Sequence, residues 1–281
     1  MKKSIFYIIL AALLMGSTFP IQKLGLNNIN PLAYTTLRFF IAFIFSSIIF
    51  KFGNFFYSSI LGIVLSIGYI SQIVGIKYTT ATKAGFITSQ YIIFIPIFAY
   101  LINREKINKF QIIGLTFSIV GSYLLSGGIN GFNIGDMLMI ICAISFALHI
   151  VLITNFSQKV EEKSLLTFQF LTVTIISGIF SLIFKASYNI NAISLLTIFY
   201  SAIIGSIIVI FLQLKHQKNI GSNLTAILFL TQPIFSALLS FIILKETLNA
   251  TQFLGAIILI LSILIANSKY IFQKNNRGEF Q

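Results

Sequence analysis

"INREKINKFQIIG" (residues 102–114) returns as "ILKETLNATQFLG" (residues 243–255). Glu105, Asn108, Gln111 and Gly114 recur as Glu246, Asn249, Gln252 and Gly255, each 141 positions later. The shared grammar is E-x-[IL]-N-x-x-Q-x-x-G, and the offset is half of the 281-residue chain. Such an offset marks either chemistry used twice or one joint in each copy of a duplicated object. The residue types favour the joint. Asn followed three residues later by Gln, at the start of an apolar run, fits a variant of the helix capping box. The glycine one turn further on permits close helix approach. Gly121 and Ser262, seven residues beyond, keep the same face small.

Composition narrows the class. Only 9% of residues are charged and 57% are hydrophobic, whereas a soluble domain carries about 25% charged residues. That supply of charge cannot cover a water-facing surface, so the chain reads as membrane-embedded. The net charge of +13 would suggest nucleic acid in a soluble protein. Here the cations stand singly or in small groups between apolar runs, the pattern of topology signals and not of a nucleic-acid tract. Cys142 is the single cysteine and lies in an apolar run, so neither a disulfide framework nor a cysteine metal site is expected. The Met-Lys-Lys start resembles a signal peptide, but no small-x-small cleavage site follows Leu14; it reads as an uncleaved first helix.

Apolar stretches of the roughly 20 residues needed to cross a bilayer fall near 4–22, 32–50, 58–76, 84–102, 109–125, 136–154, 165–184, 193–214, 223–244 and 251–267. The predicted fold is therefore an all-α integral membrane protein of ten transmembrane helices in two five-helix repeats. Residues 1–126 form the first repeat, 127–135 a linker, 136–268 the second repeat and 269–281 a cytoplasmic tail. The glycine-rich "GGINGFNIGD" (127–136) carries no Gly-Lys-Ser/Thr ending, so it reads as that linker and not as a phosphate loop. With the N-terminus inside, thirteen Lys and Arg fall in inner segments and five in outer ones, which places both termini in the cytoplasm. Five spans per copy is an odd number, so the second copy enters the membrane from the opposite side. Arg104, Lys106 and Lys109 flank the first joint and only Lys245 the second, as inversion requires.

These residues resemble the drug/metabolite transporter superfamily and, within it, the EamA-domain proteins. The likeness rests on "GSTFP" (16–20), "INPLAYTTLRF" (29–39), "YTTATKAGFITSQYIIFIPIFAYLINREKINKFQIIG" (78–114), "GDMLMIICAISFALHIV" (135–151) and "LTQPIFSALLSFIILKETLNATQFLGAIIL" (230–259). It implies ten helices in two repeats, alternating access, and movement of small metabolites across a bacterial cell (inner) membrane. Met15 departs from the family, which often has Trp before the helix 1 glycine; a packing or lining contact is affected there.

Polar groups at membrane depth are expensive and are functional candidates. Gln90 precedes Pro96 and Gln232 directly precedes Pro233 in the fourth span of each half, where a proline frees a backbone carbonyl; Tyr91 adjoins Gln90. Thr18 and Gln22 lie in the first span. Arg38 lies two turns inside the second, suited to snorkelling outward, to holding a helix terminus or to receiving a substrate carboxylate, with Gln169 as its counterpart. His149 is the histidine inside a span; seven residues from Cys142, it is roughly 10 Å away by helix rise, too far for a nucleophile and its base, and it reads as a hydrogen-bonded core residue or a proton relay. Gln72 and Gln213, near helix ends, read as interfacial.

Asp136, Glu105, Glu161, Glu162, Glu246 and Glu279 all fall in loops or at helix ends, leaving no carboxylate at mid-membrane to pair a cationic drug. The expected solute is zwitterionic, neutral or anionic, with amino acids the leading class and export the favoured direction. The expected partners are that solute and the lipid bilayer, with a coupling proton left open; no cofactor and no catalytic residue is expected. Two other readings stand beside this one. An integral membrane enzyme would want acids, histidines or metal ligands gathered on one face, and they are scattered. A lipid-carrier flippase or assembly factor would need a groove open sideways to lipid.

Overall fold

The computed structural model describes residues 2–27, 29–104, 109–125, 131–229 and 231–276, and among them every regular element is helical. The first half holds α1 (Lys2–Gly25), α2 (Pro31–Phe50), α3 (Phe55–Tyr78), α4 (Ala81–Thr88), α5 (Tyr91–Asn103) and α6 (Lys109–Leu125). The second holds α7 (Ile134–Phe156), α8 (Thr167–Ile183), α9 (Ala192–Ala202), α10 (Val209–Gln217), α11 (Gly221–Leu228), α12 (Thr231–Leu244) and α13 (Ala250–Asn276). A π-helical segment, Ile203–Ile208, joins α9 to α10. Among the described residues, eight helical stretches are long and apolar enough to cross a bilayer, and Ile112–Leu125 and Ala250–Ser262 are shorter apolar helices.

Asparagine and threonine start these helices because their side-chain oxygens accept the backbone N–H groups that a first turn leaves free. Asn30 accepts from Leu32 N at 2.9 Å with Pro31 in the first turn. Asn54, Thr80 and Asn191 do the same for α3, α4 and α9. Asn133 and Asp136 form a reciprocal capping box at α7. Helix α7 thus begins at Ile134, inside the stretch 127–135 read from the sequence as a linker. At the second joint, Asn249 accepts from Gln252 N (2.8 Å) while its own N–H donates to Gln252 Oε1 (3.1 Å), the box read from the sequence. The matching Asn108 lies outside the described residues. Helix α13 runs on to Asn276, into the stretch read as a tail.

Gly255 of the second joint and Gly121 beyond the first permit the close helix approach expected of them. A Cβ on Gly255 would meet Leu125 N at 2.5 Å, and one on Gly121 would meet Leu259 at 2.8 Å, so α6 and α13 lie backbone to backbone. Each half also packs in the same way when the halves are exchanged. Helix α1 rests on α12 and on α9–α10; its counterpart α7 rests on α5 and on α3. Helix α2 packs on α8, where Thr36 donates to Ser177, 141 residues away, at 3.2 Å.

The fourth span of each half differs from the sequence reading. Each is broken into two helices, α4/α5 at Ser89–Gln90 and α11/α12 just after Leu228, within one residue of the repeat offset. Pro96 lies inside α5, away from the first break, but Pro233 in the first turn of α12 has no N–H to offer Phe229 O, four residues back at the second break, and that carbonyl accepts from Tyr91 instead. At the first break Gln90 N bonds Ile87 O in a three-residue turn. Phe86 O, thereby released, accepts the Ser89 hydroxyl (2.7 Å) and the Gln90 amide (3.2 Å). Ser and Gln side chains thus stabilise the break by competing for helix carbonyls.

The outside of the bundle is apolar: Ile48, Leu182 and Leu196 are each at least 70% exposed. Such a surface is at home in hydrocarbon and nowhere else.

Candidate functional site

The space between the halves is a narrow cavity of about 10 Å³, room for about one water. Met15 of α1, Tyr69 of α3, Tyr91 of α5, His149 of α7, Gln213 of α10 and Phe229 at the second helix break all face it. Both halves contribute, and both broken spans reach it. Its walls are aromatic: Tyr69 meets Phe146 edge-on at 5.1 Å, and Tyr91 meets Phe229 edge-on at 6.4 Å. No carboxylate lines it among the described residues.

Each polar group has a positioned neighbour. The Tyr91 hydroxyl proton is shared between Phe229 O (3.2 Å) and Gln232 Oε1 (3.3 Å). Tyr91 and Gln232 are themselves 141 apart, so the two breaks are tied together by matching positions. His149 Nε2 lies 3.3 Å from Gln169 Oε1, with the ring as donor. Gln213 donates to Gln217, which in turn donates to Ile150 O and to Thr154.

Arg38 is 2% exposed. Its Nε donates to Ser206 Oγ (3.0 Å) and its terminal nitrogen to Gly205 O (3.2 Å). Both partners lie in the π-helical segment, whose widened turn releases carbonyls. The guanidinium also sits 4.5 Å from the Tyr69 ring, on a residue that lines the cavity. No acid pairs with it among the described residues. Arg38 therefore holds a second-half segment and places a positive charge behind the cavity wall.

Of the residues chosen from sequence, Tyr91 and His149 line the cavity. Gln232 and Gln169 stand directly behind them. Thr18 bonds Met15 O and touches Gly205, beside Arg38. Gln90 stitches the first break, and Gln22 is fully buried. Gln169 bonds His149 and not the Arg38 cluster. Gln72 and Gln213, read as interfacial, are 1% and 3% exposed and packed over by neighbouring helices, and Gln213 faces the cavity, a position the sequence reading did not give it. Tyr69, Phe146, Phe229 and Gln213 were missed; aromatic residues in apolar spans carry no local sign of which way they face. Met15, the departure noted in the sequence, is a lining residue.

A set of buried amides is left incomplete. Both amide atoms of Gln22, Oε1 of Gln72 and Gln90, and Nε2 of Gln169 and Gln232 have no partner among the described residues. Each such group costs about 1–3 kcal/mol, and native proteins keep few of them without a reason.

One end of the bundle is fastened. Glu246, between α12 and α13, accepts from Ala81 N and Thr82 N at 2.9 Å each and from the Thr82 hydroxyl at 2.8 Å. The carboxylate thereby caps α4, with the helix dipole adding to the attraction. Lys23 of α1 donates to Ile76 O and Thr79 O, both at 2.6 Å. Asp136 accepts from Thr79 and pairs with Lys83 at 3.6 Å. These contacts join α1, α3, α4, α7 and the α12–α13 loop.

Comparison with known proteins agrees with this architecture. The model of the EamA-like transporter family matches twice, over residues 2–127 and 133–268. A protein of Archaeoglobus fulgidus named an uncharacterized transporter is 35% identical over 258 residues, covering 92% of this chain and 83% of its own. A second from that organism, named in the same words, is 23% identical over 62% of this chain and 65% of its own. A solved crystal structure superposes with a TM-score of 0.71 over 93% of this chain and 96% of its own. At 17% identity it speaks for the fold alone. With the family model spanning both halves and a relative of this similarity, the chain belongs to the EamA-like transporter family, within the drug/metabolite transporter superfamily.

Proposed function

We propose that this membrane transporter works by alternating access, with ten spans in two five-helix repeats of opposite orientation, residues 1–126 and 136–268. The observation that carries the reading is the cavity to which both halves contribute and at which the matching positions Tyr91 and Gln232 meet. Broken helices at membrane depth suit a lining role, because freed backbone is tolerated where protein packs it or where it faces a pathway. In this conformation the cavity holds about one water, so a solute enters only when an end opens. The excess of Lys and Arg in alternate loops supports cytoplasmic termini, and a bacterial inner membrane is the proposed setting.

The solute class follows from the walls. Tyr91, His149 and Gln213 offer hydrogen bonds without full charge, and Arg38 adds positive potential behind Tyr69. No carboxylate lines the cavity among the described residues to hold a cation. A small zwitterionic, neutral or anionic metabolite fits this chemistry, with an amino acid as the proposed class and export as the direction.

Proteoliposomes offered amino acids, nucleotides and organic cations, with and without a pH gradient, test it. Saturable uptake of an amino acid or a related zwitterion or anion is expected. Replacing Gln213 by Leu should raise KM several-fold, the worth of one hydrogen bond at about 0.5–1.5 kcal/mol. Transport confined to organic cations would overturn the assignment of solute class.

A further inference from the structure

At the end opposite Glu246, a notch of about 670 Å³ opens between the first turns of α1 and the last turns of α10. It is separate from the central cavity. Consecutive helix positions are about 100° apart, so Phe211 and Lys215 each lie roughly 160° around α10 from Gln213. Gln213 faces the centre, and Phe211 and Lys215 line the notch. The notch therefore opens on the flank of the bundle.

Its lining is graded along the helix. Phe211 and Leu212 form an apolar floor; one turn nearer the end, Lys215 and His216 form a polar rim, with Lys3 and Ser4 facing them from α1. Lys215 Nζ stands 5.4 Å from the Phe211 ring centre, its stem lying along apolar surface with the charge carried outward. The His216 ring stacks on Tyr7 at 4.6 Å and 14°, and Nδ1 lies 3.3 Å from Ser4 Oγ. Asn219 also donates to Ser4 Oγ. The ring is thus fixed with Nε2 uncommitted among the described residues. No acid lines the notch among the described residues, and neither Lys3 nor Lys215 makes an ion pair there. Glu162, whose charge is felt at Lys215 and His216, is held by Lys218 at 2.8 Å.

We propose that this notch binds a phosphate-bearing anion, with Lys3, Lys215 and His216 around the phosphate and the Phe211–Leu212 floor beneath it. Two ammonium groups, a fixed imidazole and an apolar floor match the order of charge and hydrocarbon in an anionic phospholipid. A free phosphate would use the rim alone. Because α1 belongs to the first half and α10 to the second, an occupant bridges the halves and biases their relative position.

The test measures thermal unfolding of the purified full-length protein in neutral detergent, titrated with phosphatidylglycerol, with phosphatidylcholine or with inorganic phosphate. Saturable stabilisation by phosphatidylglycerol and not by phosphatidylcholine is expected. A Lys3→Gln/Lys215→Gln double variant should unfold at the wild-type temperature without additive and bind phosphatidylglycerol roughly 25-fold more weakly, about fivefold for each lysine. A Lys159→Gln/Lys163→Gln variant, with the same charge removed from the same end outside the notch, should bind as wild type. Stabilisation by inorganic phosphate with the same lysine dependence would identify a soluble anion as the source and uphold the phosphate site. Absence of saturable binding by either, or equal losses in both double variants, would overturn the proposal.

Discussion

Gly16→Ala should destabilise the protein by about 1–3 kcal/mol, the usual cost of inserting a methyl where no room exists, and should reduce transport with it. A Cβ at Gly16 would stand 2.5 Å from Gln232 O and 3.2 Å from Phe235 Cβ. The first of these atoms is backbone, in the opening turn of α12 directly after the second helix break. It cannot rotate away as a side-chain tip would. The methyl must push α1 off α12, and with it the Gln232 amide that meets Tyr91. Gly178→Ala is the matched control: its Cβ would have Thr36 Cγ2 at 3.7 Å as its near neighbour, an ordinary contact. Removing glycine from a helix interior there should gain about 0.5–1 kcal/mol. Thermal unfolding in detergent and uptake in proteoliposomes read both effects.

Glu246→Ala should open the end that Glu246 fastens. The carboxylate receives three hydrogen bonds from the first turn of α4, and bonds to a charged group are worth about 1.5–3 kcal/mol each. The side chain is half-buried, so the lower figure applies, and only the part that differs between closed and open conformations shifts the population. A net loss of about 1.4 kcal/mol is tenfold in that equilibrium. The reporter is Ile210→Cys in a Cys142→Ser background, since Ile210 lines the central cavity and is 2% exposed. Its reaction with a membrane-impermeant thiol reagent, applied from the Glu246 side, should accelerate about tenfold in Glu246→Ala and less in Glu246→Gln. An unchanged rate would mean that the cap only steadies α4.

How much of this was legible in the sequence depends on the range of the interaction concerned. The joint was legible because it is local: Asn249 and Gln252 are three residues apart, and a capping box needs nothing else. Gly255 was legible because absence of a side chain has meaning wherever helices meet. The pairing of Tyr91 with Gln232 was half legible. Their offset equals the repeat, but only the packing of α1 on α12 and α7 on α5 brings the two breaks together. The break at residues 89–90 escaped, since Ser and Gln occur freely in helices and it is competition for Phe86 O that breaks this one. The sequence reading left Arg38 three roles; the structure shows which groups it holds because a π-helical segment, with no local signature, presents Gly205 and Ser206 to it. Residues that face the cavity by packing alone, Phe146 and Phe229 among them, had no sign to read.

The central claim is that two related halves face the cavity from opposite sides of the membrane. Lys109 and Ala250 open α6 and α13, are 141 residues apart, and are both exposed. In a Cys142→Ser background, Lys109→Cys and Ala250→Cys are treated in intact cells with a membrane-impermeant thiol reagent and then again after permeabilisation. The account predicts that Ala250→Cys reacts in intact cells and Lys109→Cys only once the membrane is opened; equal labelling of the two in intact cells, or the reverse order, would contradict it.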